Sequence, residues 1–349
     1  MKLIKLFTIN LLVTYVFGQE VISLSSANPF GFKDVITNLD RQDEQEVEAV
    51  LKLPTGVGPF PLVIGVAGSL DWGSHHLQYL EMFRSIGIAT LEIQSFSSRG
   101  IRSTVGSQVE VTTATMVLDA YKALDKVSSH PKIIKDHIAI MGWSLGGGVA
   151  LFSGWLPLVE KINPQNKFAA HLSIYPPCIA QPKNPIFSDV PMHILIGELD
   201  DWVPARACEE LTEQAKSAGS NIGLTVFPNS HHSFDKKSPI SVKDNAYSTV
   251  NCRFEIRDDG AVLMDFLNIP MTTPLRQKIG LFMCADRGST MGGNPESRQA
   301  SFKFARNFMS KHLLSKQKLR RGTTSLIGSK HPHNVGCFYH IFCFILDRM

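Results

Sequence analysis

Short apolar segments alternate with segments of helical periodicity through most of this chain. Strand-like runs of mainly apolar residues recur at residues 47–53, 61–66, 88–93, 138–141, 169–175, 193–196 and 224–227. Apolar residues at helical spacing lie between them, at residues 76–85, 111–126, 146–159 and 206–218. Strands that are apolar on both faces and alternate with helices are typical of a parallel sheet covered on each side. The pattern predicts an α/β fold with a mostly parallel sheet and helices on both faces.

The alternation stops at residues 233–294. Two strand-like runs, 252–257 and 262–266, flank a turn signal at 258–260. We expect a small hairpin insertion here, before a last helix within 295–314 whose apolar residues pack on the sheet.

The two ends of the chain differ from this domain, which we place at residues 19–316. Residues 1–18 carry two lysines and then an apolar run, the pattern of a cleaved secretion signal. The run is shorter than the roughly 20 residues of a membrane span, so we predict a periplasmic or secreted protein without a stable span after cleavage. For the basic and apolar residues 317–349 we expect a disordered tail, with peripheral membrane contact as the alternative.

The charge distribution argues against a nucleic-acid partner. The formal net charge is +4, but the cations that produce it lie at the two termini, and the segment between them is mildly acidic. A surface that follows a phosphate backbone needs clustered cations on one face. We therefore expect no nucleic-acid binding by the domain.

The six cysteines form no C-x-x-C pair, which argues against a zinc site. In an exported protein an even number of cysteines favours disulfides. Their order in the chain favours Cys178 with Cys208 and Cys252 with Cys284, and free buried thiols are the alternative.

The motif Gly142-Trp143-Ser144-Leu145-Gly146 carries the strongest chemical signal. An apolar strand enters it and a glycine-rich helical segment follows it. A nucleophile elbow needs this context, because the serine sits on a strained turn and the glycines let strand and helix approach closely. Ser144 is therefore the candidate nucleophile.

A serine hydroxyl needs a base that is itself oriented by an acid. The strand at 193–196 runs into a loop with Asp200 and Asp201, and the strand at 224–227 runs into a loop with His231 and His232. Both loops follow the carboxyl ends of parallel strands, where sites in open α/β sheets form. The order Ser, Asp, His is that of α/β-hydrolases, and the residues alone leave both doublets open.

The same logic assigns candidate oxyanion donors. One is the backbone N–H of Leu145, and the other is the N–H of Ser69 or Leu70, in the loop after the strand at 61–66. His75 and His76 lie just beyond; a helix cap or surface pair is the main interpretation, and we expect no metal there.

Together these residues resemble the dienelactone hydrolase family of the α/β-hydrolases, over roughly residues 47–314. Residues 95–100, 197–204 and 228–234 add to the match. The resemblance implies that Asp200 is the acid, being three residues after the glycine, and that His232 is the base, being two residues before the phenylalanine. It also implies that no cofactor is needed.

Two departures limit what the resemblance implies. The founding enzymes of the family use a cysteine nucleophile, whereas this chain has Ser144, so lactone specificity is not implied. The insertion at 233–294 is longer than the short link usual between the base and the last helix, so the resemblance does not predict what covers the pocket.

Trp143 and Arg99 are candidate substrate contacts. For Arg99 the alternative is that it holds a loop by hydrogen bonds to carbonyls.

The sequence thus predicts a serine hydrolase that cleaves an ester, or a related acyl bond, of a small molecule. A peptidase related to prolyl oligopeptidases is one alternative, although only about 28 residues separate the predicted cleavage point from the first predicted strand, which leaves no room for an N-terminal propeller. An inactive hydrolase-like binding protein is the other. The sequence does not predict the acyl group, the alcohol or the oligomeric state.

Overall fold

The computed structural model describes residues 19–162 and 166–314 of the chain. Its strands are β1 (Gln19–Ala27), β2 (Glu44–Lys52), β3 (Phe60–Val66), β4 (Ala89–Ile93), β5 (Ile133–Trp143), β6 (His171–Ile174), β7 (Ala180–Pro182), β8 (Met192–Gly197), β9 (Ile222–Phe227), β10 (Ser241–Ser248), β11 (Phe254–Ile256), β12 (Val262–Leu263) and β13 (Asp286–Met291). Its α-helices are α1 (Phe32–Asn38), α2 (Ser74–Ser85), α3 (Thr113–Ser128), α4 (Leu145–Phe152), α5 (Leu156–Ile162), α6 (Ala205–Ser217), α7 (Pro274–Cys284) and α8 (Pro295–Met309). The predicted signal at 1–18, the predicted tail at 317–349, Cys337 and Cys343 lie outside the described residues.

Eight strands form one sheet in the order β1-β2-β4-β3-β5-β6-β8-β9. The pairs from β4 to β9 are all parallel, and only β2 is antiparallel to its neighbours. The predicted α/β-hydrolase fold with a mostly parallel sheet is confirmed. The carboxyl ends of the parallel strands meet at one edge, where the candidate site lies.

The central strands are buried because both of their faces are apolar. Leu62, Val63 and Ile64 of β3 are completely inaccessible to solvent, and burial of each such side chain contributes about 1.5–3 kcal/mol. Ile64 lies between Leu91 of β4 and Ile140 of β5. This packing keeps the central strands rigid, and the candidate site lies at their carboxyl ends.

Helices cover both faces of the sheet. Along the sheet, the connection from β3 through α2 to β4 moves toward β1, whereas the connections through α3 and α4 move toward β9. Because such crossovers are right-handed, α2 lies on the face of the sheet opposite to α3 and α4. The last helix, α8, packs on α2. The predicted last helix within 295–314 is therefore confirmed, and a short π-helical turn continues it to Leu314.

Two sequence predictions about the elements are wrong. The strand predicted at residues 47–53 is present as β2, but it is not the first strand. The first strand is β1, which begins at Gln19 directly after the predicted signal and pairs antiparallel with β2 at the sheet's edge. Its residues alternate between exposed and buried, with Val21 58% exposed and Ile22 buried, so it lacks the continuous apolar signal of the inner strands. The helix predicted at 146–159 is two helices, α4 and α5, separated by a turn at Gly154.

The insertion at 233–294 contains the predicted hairpin and more. Strands β11 and β12 pair antiparallel around Gly260, whose φ of +79° suits a glycine in a tight turn. Strand β11 also pairs with β7 in parallel, and β10 pairs with β13. These pairings and helix α7 make the insertion a folded unit rather than a lone hairpin. We call this unit, residues 233–294, the roof, because several of its residues line the cavity at Ser144.

Both predicted disulfides are present, Cys178–Cys208 and Cys252–Cys284. The second joins the segment before β11 to the last residue of α7, so it fixes these two parts of the insertion to each other. No helix within residues 19–162 and 166–314 is long and apolar enough to cross a membrane.

Candidate active site

Ser144 occupies a strained turn between β5 and α4. Its φ of 54° and ψ of −117° lie in a region that residues with a side chain rarely adopt. A Cβ on Gly142 would lie 1.9 Å from the carbonyl oxygen of Gly146, and one on Gly146 would lie 2.2 Å from that of Val66. Only glycine fits at these two positions, so the motif forms the sharp elbow that its spacing predicts and exposes the Ser144 hydroxyl at the edge of the sheet.

Asp200 lies in the loop after β8 and is held on two sides. Its Oδ1 accepts hydrogen bonds from the backbone N–H groups of Trp202 and Val203, at 3.0 and 2.9 Å. Its Oδ2 accepts from Nδ1 of His232 at 2.7 Å. The carboxylate is 4% exposed, so its charge is satisfied by these donors rather than by water.

His232 connects this carboxylate to the serine. Its Nε2 lies 3.0 Å from the Ser144 hydroxyl oxygen. The rings of Tyr175 and Trp202 pack against the imidazole, with centroids 4.6 and 4.9 Å away. Donation of the Nδ1–H to Asp200 leaves Nε2 as the acceptor for the serine proton, which is the geometry that a general base requires.

The other member of each doublet points elsewhere. Asp201 accepts a hydrogen bond from the backbone N–H of Thr290 in β13 at 2.8 Å, and His231 bonds the carbonyl of Leu199 at 3.1 Å. The first contact ties the loop to β13, and the second ties two loops together. The structure therefore brings Asp200 and His232, rather than Asp201 and His231, next to Ser144.

The candidate oxyanion donors surround the serine. Leu145 is the first residue of α4, and at this position a backbone N–H has no partner within the helix. A Cβ on Gly68 would lie 3.4 Å from the Cβ of Ser144, so a glycine there lets the loop that carries Ser69 and Leu70 pass close to the nucleophile. The assignment of the two donors stays a prediction.

The structure places both predicted substrate contacts away from the site. Trp143 is completely buried, and its ring stacks on His76 with centroids 4.5 Å apart. Arg99 forms a bidentate ion pair with Asp119 of α3 and donates to the carbonyls of Ala27 and Ser95. Trp143 therefore faces the α2 side of the sheet. Arg99 holds a loop, as its alternative interpretation stated.

A buried polar cluster beside the triad residues escaped the sequence analysis. Asp235 accepts a hydrogen bond from the Tyr175 hydroxyl at 3.0 Å, and the Nε2 of His75 lies 3.8 Å away from it. Burial raises the pKa of Asp235 to about 6 and lowers the pKa of His75 to about 3. At neutral pH the carboxyl is therefore mostly ionised and the imidazole neutral. The only feature of the sequence that could have pointed to this cluster was the position of Asp235, three residues after His232.

His76 caps helix α2, and His75 is buried beside it. The Nδ1 of His76 accepts the backbone N–H of Gly73 at 3.1 Å and so caps the start of α2. Within residues 19–162 and 166–314, no cluster of three or more histidine, cysteine, aspartate or glutamate side chains could hold a metal ion.

Two cavities open at Ser144. The main cavity, of about 190 Å³, lies between Leu145, the segment around Phe30 and Phe32, and the roof formed by the insertion. The roof residues that line it are Tyr247, Thr249, Phe254, Val262, Met271, Gln277 and Leu281. The minor cavity, of about 60 Å³, is lined by His232 together with Asp71, His75 and Lys236.

The fold and the elbow define the chain as an α/β-hydrolase. The sequence model of the dienelactone hydrolase family matches residues 92–254, a range that includes Ser144, Asp200 and His232. The match confirms the resemblance that the motifs indicated. No curated protein matches the chain.

Several solved structures are similar to this chain at low sequence identity. A dienelactone hydrolase-like promiscuous phosphotriesterase from metagenomic libraries has 12% identity and a TM-score of 0.51, over 85% of this chain and 99% of that one. An esterase from the planctomycete Thermogutta terrifontis has 20% identity and a TM-score of 0.46, over 62% and 84%. Est1E from Butyrivibrio proteoclasticus, solved with ferulic acid, has 16% identity and a TM-score of 0.42, over 54% and 87%.

Proposed function

We propose that this protein is a secreted serine hydrolase that cleaves carboxylic esters of small molecules through Ser144, His232 and Asp200. The observation that carries the proposal is the continuous hydrogen-bonded chain from the Ser144 hydroxyl through His232 to Asp200, at 3.0 and 2.7 Å. The match of residues 92–254 to a family of lactone hydrolases supports ester cleavage, because a lactone is a cyclic ester. Residues 1–18 and the two disulfides support secretion, since disulfides persist in oxidising compartments.

In the first step, Nε2 of His232 takes the proton of Ser144 while Oγ bonds to the acyl carbon. The carbonyl electron pair moves onto oxygen, where the N–H groups of Leu145 and of Ser69 or Leu70 stabilise the charge. Collapse of this intermediate expels the alcohol oxygen, which takes the proton from His232. Asp200 stays ionised throughout and stabilises the transient imidazolium.

In the second step, water attacks the acyl-enzyme. His232 takes a proton from the water and returns it to the Ser144 oxygen as the acid leaves. The reaction needs no other group, because acid, base and nucleophile are all side chains of this chain.

Labelling with a fluorophosphonate separates this proposal from an inactive binding protein. We expect one equivalent of the phosphonate on the peptide that contains Ser144, because only an activated serine displaces the fluoride rapidly. Hydrolysis of a 4-nitrophenyl ester without hydrolysis of a peptide 4-nitroanilide would separate it from a peptidase.

The Ser144→Ala protein is the control and should stay unlabelled. A wild-type protein that is folded, with both disulfides formed, yet takes up no phosphonate and hydrolyses no ester would contradict the proposal.

A further inference from the structure

The two cavities at Ser144 differ in chemistry, and the mechanism requires different parts of the substrate to enter them. We propose that the main cavity binds the acyl group of the substrate, and that this group is uncharged and apolar. The inference rests on the proposed function and specifies the acid side of the ester.

The position of His232 decides which part of the ester enters which cavity. His232 must pass its proton to the leaving oxygen, so the alcohol has to lie within hydrogen-bonding reach of Nε2. His232 lines the minor cavity, together with Ser144, and is not among the residues that line the main cavity. The leaving alcohol is therefore directed to the minor cavity, and the acyl group extends from Ser144 past Leu145 into the main cavity.

The walls of the main cavity decide the charge of the acyl group. Phe152, Ile179, Phe254 and Leu281 present apolar surface to it, and none of the described residues that line it is charged. An acyl group with a second carboxylate would lose its hydration there without gaining a cation, which costs several kcal/mol. Apolar acyl groups gain from the same burial.

The roof over the main cavity is anchored to the rest of the domain by the pairing of β11 with β7, and the Cys252–Cys284 disulfide joins the segment before β11 to α7. Since Phe254 and Leu281 of these two parts line the cavity, we expect an acyl chain to pack against them and kcat/KM to depend on its length.

The test measures kcat/KM for 4-nitrophenyl esters of straight-chain acids with 2, 4, 5, 6, 8 and 12 carbons, so that the leaving group is constant. We expect a rise of about fourfold per methylene from acetate to hexanoate. The mono-4-nitrophenyl ester of glutaric acid, which has five carbons and a terminal carboxylate, should be at least about 10-fold poorer than the pentanoate.

Two variants place this selectivity in the main cavity. Val262→Trp, which fills the cavity from the roof, should lower the hexanoate-to-acetate ratio of kcat/KM at least about 10-fold. Leu281→Ala, which enlarges the cavity, should raise the octanoate-to-hexanoate ratio of kcat/KM. Phe282→Trp is the matched control, since Phe282 is on the same insertion and 85% exposed, and its chain-length profile should equal that of the wild type.

Fluorophosphonate labelling keeps the two claims apart. A labelled wild type with a flat profile, with acetate as the best substrate, or with equal use of pentanoate and the glutarate monoester would overturn the acyl assignment alone. Absence of labelling and of all ester hydrolysis would overturn the proposed function itself. Each variant is compared only after labelling shows that its Ser144 is active. If Val262→Trp fails this check, Leu281→Ala decides, and an unchanged octanoate-to-hexanoate ratio in it overturns the assignment.

Discussion

Replacement of Ser144 by alanine is expected to lower kcat/KM for 4-nitrophenyl esters by about 10⁴- to 10⁶-fold, because it removes the hydroxyl that His232 activates to form the acyl-enzyme. The residual rate comes from substrate binding and the backbone donors alone. Steady-state assays of the purified variant at saturating and subsaturating ester measure the loss.

The fold should survive this change. Alanine removes one hydroxyl from a turn that Gly142 and Gly146 determine, so thermal unfolding followed by circular dichroism should resemble that of the wild type. A folded Ser144→Ala protein that retains wild-type esterase activity would show that another residue is the nucleophile.

Replacement of Asp200 by asparagine is expected to lower kcat by about 10⁴-fold with little change in KM. An amide at this position donates to Nδ1 of His232, which favours the tautomer with the proton on Nε2, and that nitrogen can then no longer accept the Ser144 proton. Initial rates across a range of ester concentrations separate kcat from KM.

Asp201→Asn is the matched control, because it makes the same chemical change in the neighbouring residue. Asp201 accepts one backbone hydrogen bond from Thr290, so its kcat should stay within about twofold of the wild-type value. Equal losses in the two variants, or a larger loss at Asp201, would contradict the assignment of the acid.

The sheet could be predicted from sequence because its inner strands are buried on both faces. Runs such as residues 61–66 are continuously apolar, and that signal does not depend on the rest of the chain. Strand β1 lacks it, since it lies at the edge and exposes alternate residues such as Val21. Its pairing with β2 is a long-range contact that local composition does not encode.

The residues around Ser144 could be predicted because each follows a strand that ends at the same edge of the sheet. The neighbours of each side chain could not. Arg99 binds a carboxylate 20 residues away on α3, and the ring of Trp143 stacks on His76 of α2. These partners depend on packing, so the two predicted substrate contacts were wrong.

The roof of the site was the part that sequence described least. Its turn at 258–260 and its disulfide were recognisable, but β11 joins β7, more than 70 residues earlier in the chain. That pairing places Phe254 and Val262 over the main cavity. The specificity of the site is therefore encoded in long-range contacts, whereas its reaction chemistry is encoded in short motifs.

Trapping the covalent intermediate tests most directly whether Ser144 is acylated during turnover. The enzyme is mixed with excess 4-nitrophenyl hexanoate, quenched with acid within the first turnovers, digested and analysed by mass spectrometry. We predict one hexanoyl group on the peptide that contains Ser144, and specifically on that serine. Rapid ester turnover with no acyl group on Ser144, or with the acyl group on another residue, would contradict the mechanism.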